Sequence, residues 1–287
     1  MRKEQKQTAN FTIDRISVIS NYLSIQGDIG AGKSTLKKRV DHFVRQEGRD
    51  ATQIDDCSEA GDYYLLVDEP VTDWNEPIHD KLYRTVETLA PLNEPSPPPP
   101  LFSMLELFYG EPKKYAFLFQ INAFTSRLKH LIDELSRVPV IANQIERGIR
   151  IHIIGERSLR TDRLFFEVQH LLGNASNVEW HTYCAFFETI CAHLMRVESA
   201  MIYVHTPPTV CAARIAERNR HGESGIPLDY LELLDTKHDE MIQRFSAEAP
   251  SHRVYHIEFD RTMTECEIDV IVGDLMRDIA VDLRVSL

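Results

Sequence analysis

Residues 22–35 read YLSIQGDIGAGKST, and this stretch decides the fold. A short apolar run, Tyr22, Leu23 and Ile25, passes into a turn carrying Gly27, Gly30 and Gly32, followed at once by Lys33, Ser34 and Thr35. Gly27, four intervening residues and Gly32-Lys33-Ser34 make the P-loop spacing. Glycines permit backbone conformations closed to other residues, so successive N–H groups curl around a phosphate. The helix expected from Lys33 points its positive end at the same anion. Lys33 then reaches the β- and γ-phosphates, and the Ser34 hydroxyl is a candidate ligand for Mg²⁺. The candidate ATP contacts are therefore Gly27, Asp28, Ile29, Gly30, Ala31, Gly32, Lys33, Ser34 and Thr35.

Composition sets the outer limits. The chain has 287 residues, 43% hydrophobic and 26% charged, enough for one large α/β core. Its formal net charge of −12 argues against a general nucleic-acid binder. Five scattered cysteines, Cys57, Cys184, Cys191, Cys211 and Cys266, without CxxC spacing, read as reduced thiols rather than a disulfide framework or a zinc site. No apolar run approaches transmembrane length, and residues 1–16 are polar and basic, read as a flexible tail. A cytoplasmic location is expected over a mitochondrial one, with no membrane partner.

Outward from the P-loop, apolar runs and helical periods alternate. Strands are expected at 17–26, 63–67, 149–154, 201–204 and 254–259. Helices are expected at 33–47, 79–89, 115–135, 163–172, 178–197, 208–219, 227–245 and 265–283. Residues 48–61 are acidic and read as a surface excursion, and 91–100 (PLNEPSPPPP) as a stiff surface loop. Residues 17–287 read as a single α/β domain, a parallel sheet flanked by helices in three layers. Ligands bind such sheets at the C-terminal strand ends. The P-loop, Glu69 after one strand and Glu156-Arg157-Ser158 after another all fall there.

Two further features carry chemistry. Arg214, Arg218 and Arg220 run from a helix into a flexible charged segment, a lid over residues 214–226 that supplies positive charge to a transferring phosphoryl group. Glu69, ahead of Pro70 at a strand end, stands where a general base toward an acceptor hydroxyl belongs.

The separated motifs GDIGAGKST, DEPVTDW, FYGEPKKYAFLFQ, GERSLRTDR and RIAERNRHGESGIPLDYLELLDTKHDE resemble the deoxynucleoside kinases, on the deoxycytidine/deoxyguanosine kinase branch, from about Ser24 to Phe245. The resemblance implies a P-loop kinase fold and ATP- and Mg²⁺-dependent phosphorylation of a deoxyribonucleoside 5′-hydroxyl in nucleotide salvage. It implies Glu69 as the base, Arg157 on the reacting oxygen, Glu156 with Ser34 on the metal, and Tyr109 with Glu223 on the sugar 3′-hydroxyl. It implies Gln120 on the base edge and Trp74, Phe119 and Phe166 around the base. Arg214, Arg218 and Arg220 match the lid arginines. Ala123, Arg127 and Asp162 occupy base-selecting positions. A small residue beside an Arg–Asp pair is the pattern of this branch and leaves no room for a thymine methyl group. A homodimer is implied as well.

Four departures stand out: Asp28 for the commoner Asn, Gly222 for an acidic residue, Tyr115 for Trp, and the segments 50–61 and 91–100 without clear counterparts. Two other readings remain open here, a nucleoside-monophosphate kinase resembling thymidylate kinase and a non-catalytic kinase-like subunit.

Overall fold

A computed structural model describes residues 19–75, 103–139, 146–194, 198–219, 223, 225–258 and 263–284. The expected tail at 1–16, the helix at 79–89, the proline-rich loop at 91–100, and Arg220 and Gly222 lie outside the described residues.

In chain order the elements are β1 (Ile19–Gln26), α1 (Lys33–Gln46), β2 (Gly61–Val67), α2 (Val71–Asn75), α3 (Met104–Gly110), α4 (Pro112–Arg137), β3 (Ile149–Glu156), α5 (Leu159–Leu171), α6 (Asn177–Leu194), β4 (Glu198–His205), α7 (Pro208–Arg218), α8 (Leu228–Glu248), β5 (Arg253–Glu258) and α9 (Glu265–Leu283). The strands form one sheet in the order β2-β3-β1-β4-β5, and every pairing is parallel. Order and direction are those of an α/β three-layer P-loop fold.

Both faces of the sheet are apolar, as parallel pairing joined by crossover helices requires. Along β3, Ile151 and Ile153 pack into one core with Tyr63, Leu65 and Val67 of β2 and Leu131 and Leu135 of α4. Ile154 faces the other core with Leu23, Ile25, Ile202 and Val204, against Leu36 and Val40 of α1 and Leu275 and Met276 of α9. The period of two thus sorts successive residues of one strand into two cores. A third cluster, away from the sheet, joins Phe124 of α4, Phe166 of α5 and Tyr183 and Phe187 of α6.

Two short helices, α2 and α3, come in addition to the expected elements. A capping box starts α3: Ser103 Oγ accepts from Glu106 N at 3.0 Å, and Glu106 accepts from Ser103 N. The 48–61 segment is less of an excursion than its acidity suggests. Asp50, Ala51 and Ile54 are buried, Asp50 accepting from Thr52 N at 2.9 Å and pairing with Arg45 at 2.8 Å.

Candidate active site

The C-terminal strand ends open into one cavity of about 870 Å³. Each strand delivers its residue as the chain leaves the sheet: the P-loop after β1, Glu69 after β2, Glu156 and Arg157 at the end of β3.

The P-loop is wedged in place. Gly27 has φ +139, and a Cβ there would stand 2.4 Å from the Val204 carbonyl oxygen of β4, so no other residue fits. Gly32, at φ 106, caps α1 in the left-handed region. Lys33, fully buried among charges, donates to the Asp28 carbonyl oxygen at 2.6 Å. Burial, reinforced by Arg157, lowers its pKa to about 8, against the opposing pull of Glu156, Glu69 and Asp28. Ser34 donates to Glu156 Oε1 at 2.7 Å, across the gap from α1 to β3. Ile29, Gly30, Gly32, Lys33, Ser34 and Thr35 line the cavity, whereas Gly27, Asp28 and Ala31 sit behind it in the loop's support.

Glu69 is gripped by two arginines. Arg157 Nε lies 3.0 Å and Arg127 Nη2 3.1 Å from the same oxygen, Oε1. Burial alone would raise its pKa, but Arg157, Arg127 and Lys33 together outweigh that and hold the carboxyl below its usual value. Its second oxygen makes no hydrogen bond among the described residues and remains available to an acceptor. Arg157 itself has φ 67, a left-handed conformation that costs a non-glycine residue energy. Its backbone is fixed by a bond from its N–H to the Ile25 carbonyl (2.9 Å) and by the Tyr22 hydroxyl donating to its carbonyl (3.0 Å).

Arg127 organises the deeper wall. Its Nε donates to both oxygens of Asp162 at 3.1 and 2.9 Å, its Nη1 to the Glu156 carbonyl at 3.0 Å, and its Nη2 to Glu69. Burial works against its charge, yet Asp162 and Glu69 more than restore it and raise its pKa. Burial keeps the Asp162 pKa above its usual value, with Arg127 opposing it only in part. Gln120, 2% exposed, lines the cavity beside Ala123 and makes no hydrogen bond among the described residues. A buried amide with unused donors and acceptor is matched to a ligand edge that offers both.

Aromatic rings close this end. Phe108 stacks on Phe119 (4.6 Å, 7°), and Trp74 meets Phe119 edge-on at 5.8 Å, its Nε1 donating to Ser126 at 2.8 Å. The expected wall residue Phe166 does not line the cavity. It is fully buried in the helical aromatic cluster, and its neighbour Phe165 takes a place on the wall, 4.8 Å under the Arg157 guanidinium. One residue along a helix turns the side chain by about 100°, which decides which phenylalanine faces inward.

Tyr109 and Glu223 also line the cavity. Burial, with Tyr230 and Glu223 adding to it, pushes the Tyr109 phenol well up, so it stays a neutral donor and acceptor. Arg218 Nη2 contacts Glu223 at 2.5 Å. Arg214 Nη1 donates to the Ala31 carbonyl at 3.1 Å and lies 3.4 Å from Thr206 Oγ1, bracing the P-loop from α7. Phe108, Phe165, Tyr230 and Tyr22 are site or support residues that motif reading misses. The FYGEP motif contains Phe108, but nothing local to the sequence marks Tyr22, which acts from 135 residues away.

No group of three or more His, Cys, Asp or Glu residues positioned for a metal occurs among the described residues. The Ser34–Glu156 oxygen pair, beside a phosphate-binding loop, suits Mg²⁺, which takes few protein ligands and completes its shell from substrate phosphates and water.

A P-loop, a carboxylate clamped by arginines and an aromatic pocket, all at the strand ends of this sheet, define the class as a P-loop kinase with a small-molecule acceptor. The chain matches the deoxynucleoside kinase family model over residues 23–279 and belongs to that family of enzymes. It is 28% identical to a probable deoxycytidine kinase of fowlpox virus, over 77% of this chain and 71% of that one. It is 27% identical to the mitochondrial deoxyguanosine kinase of Xenopus laevis (82% and 78% covered) and 25% identical to human deoxycytidine kinase (89% and 84%).

Proposed function

We propose that the protein transfers the γ-phosphoryl group of ATP, with Mg²⁺, to the 5′-hydroxyl of deoxyribonucleosides, favouring deoxycytidine and purine deoxynucleosides over thymidine, as a nucleotide-salvage kinase. The observation that carries this reading is Arg127, which ties the base-selecting Asp162 to the base Glu69 in one hydrogen-bonded unit beside the unpaired Gln120 amide. The names of the relatives, deoxycytidine and deoxyguanosine kinases, support it.

The P-loop N–H groups and Lys33 hold the donor's β- and γ-phosphates, and Ser34 and Glu156 would hold Mg²⁺. When bound, that ion neutralises charge on the phosphate oxygens. The acceptor base lies between Phe119 and the facing wall, its edge read by Gln120, with Tyr109 and Glu223 on the 3′-hydroxyl. The 5′-oxygen forms its bond to γ-phosphorus as the bond to the β–γ bridging oxygen breaks. Its proton passes to the free oxygen of Glu69. A carboxyl held below its usual pKa is a weak base, which suits a loose transition state where the proton leaves late. Arg157, Arg214, Arg218 and Arg220 offset charge on the transferring group. The active unit is a cytoplasmic homodimer, checked by light scattering of the purified chain.

The test is a steady-state panel with Mg·ATP against deoxycytidine, deoxyadenosine, deoxyguanosine, thymidine and thymidine monophosphate. Turnover of deoxycytidine or the purines ahead of thymidine is expected. Turnover of the monophosphate alone would move the protein to the monophosphate kinases. ATP binding without turnover would make it a non-catalytic subunit.

A further inference from the structure

Asp28, the second residue of the P-loop, is 3% exposed, and neither carboxylate oxygen accepts a well-aligned hydrogen bond among the described residues. A buried carboxylate without a full hydrogen bond is costly anywhere. Here it also sits on the loop that must receive a polyanion. Its nearest counter-group is His238 of α8, fully buried, whose Nδ1 lies 3.0 Å from Asp28 Oδ1. The same nitrogen lies 2.9 Å from the Leu234 carbonyl oxygen. Both neighbours are acceptors, so Nδ1 carries a hydrogen, while Nε2 is buried without a partner. The ring is fixed by Phe165 of α5, edge-on at 6.3 Å, and by Tyr203 of β4, stacked at 6.4 Å.

The main chain of Asp28 has its own task. Its carbonyl oxygen accepts from Lys33 Nζ at 2.6 Å and from Ala31 N at 3.2 Å, setting both the loop's turn and the lysine's place. Gly27 pins the loop against β4, and Gly30 against α7, where an added Cβ would lie 2.9 Å from the Cys211 carbonyl. The Asp28–His238 contact is the anchor from α8. Other titratable groups around the pair are Lys33 of α1, Arg157 after β3, Cys211 and Arg214 of α7, Tyr203 and His205 of β4, and Tyr230, Asp235 and Asp239 of α8. The cations of this shell, Lys33, Arg157 and Arg214, stand on the cavity side of the loop, so His238 is the group placed against Asp28 from the helix side.

We infer that His238 is a positioning residue for the phosphate donor: its Nδ1–H, fixed in α8 and facing the Asp28 carboxylate, keeps that carboxylate in place so that the P-loop retains its N–H cradle and Lys33 stays ready for the triphosphate. This rests on the P-loop being the ATP site, as proposed above. Without His238 the carboxylate loses its partner from α8 while it sits beside the donor's negative charge in a low-dielectric interior. Replacing Asp28 by asparagine removes the charge that His238 answers. The two effects are therefore coupled, with a sign that loss of packing alone does not produce.

The experiment is a double-mutant cycle of Asp28→Asn and His238→Asn, reading KM for Mg·ATP, KM for deoxycytidine, kcat and melting temperature. With Asp28 in place, His238→Asn is expected to raise the ATP KM about tenfold or more, with the deoxycytidine KM changed less than about twofold. In the Asp28→Asn background the same change raises the ATP KM less than about threefold. Equal factors in both backgrounds, or an equal rise in the acceptor KM, overturn the inference. If His238→Asn does not fold, His238→Gln takes its place. If neither folds, Asp28→Asn must restore a cooperative melt to the double variant, and failure to do so overturns the inference. A wild-type chain without ATP-dependent turnover overturns the donor-site reading and this inference with it. A working wild type with a flat cycle overturns the inference alone.

Discussion

Lys33 is buried among charges of both signs, and burial lowers its pKa to about 8, which predicts an alkaline limit for the free enzyme. Above that pH the ammonium is lost before the donor arrives, so kcat/KM for ATP falls with an apparent pKa near 8. The bound triphosphate favours the charged form, so the corresponding limb of kcat lies at higher pH. A pH profile of both parameters checks this, and coincident limbs would contradict it. On the acid side, Glu69 is held below the usual carboxylate value of 4.5. Its protonation therefore limits kcat/KM for the deoxynucleoside only below that pH. In the proposed function Arg127 links chemistry and base choice. Arg127→Met removes one of the two grips on Glu69 and leaves Asp162 buried without its counter-charge. The variant is expected to lose kcat on every base, to raise the ratio of thymidine to deoxycytidine kcat/KM, and to fall in stability by about 3–5 kcal/mol. An unchanged base ratio would reduce Arg127 to a structural ion pair.

At the scale of elements, the turn after β3 stores strain that the neighbouring strand contains. The Tyr22 hydroxyl holds the carbonyl of left-handed Arg157, and a Cβ on Gly155 would lie 2.8 Å from that hydroxyl. Tyr22→Phe is expected to cost about 1 kcal/mol in denaturant unfolding and to lower kcat more than it raises either KM. The α5 helix supports a second comparison. Phe166→Ala empties a packed aromatic cluster and is expected to cost about 3–5 kcal/mol. Phe108→Ala, which removes the ring stacked on Phe119 in the wall, raises the acceptor KM instead. Measured side by side, these variants separate core from wall. They also mark where sequence reading runs out. The resemblance points to Phe166, but only the helix's rotation against α4 and α6 turns Phe165 to the cavity instead. The P-loop and the strand-end acids are legible because their signals are local: glycine spacing, an apolar run, a proline after an acid. Tyr22, Tyr230 and the Arg214 brace on the P-loop act across the fold, where no local pattern records them. Helices α2 and α3 are too short for a period to show, and Asp50 misleads because its charge is used inward, as a cap.

For the whole molecule, the parallel sheet collects donor and acceptor groups into one cavity, so occupancy of that cavity stabilises the fold. ATP at about 100 times its Kd is expected to add about 3 kcal/mol, and a deoxynucleoside to raise the melting temperature further. The measurement closest to the central claim is single-turnover phosphorylation of deoxycytidine by the wild type and by Glu69→Gln, with ATP binding followed in the same samples. Glu69 as the base predicts a fall in the chemical rate of about 10²–10⁴ with ATP affinity nearly unchanged. A Glu69→Gln variant that turns over at the wild-type rate would contradict the account, because the clamped carboxylate would then have no part in the transfer.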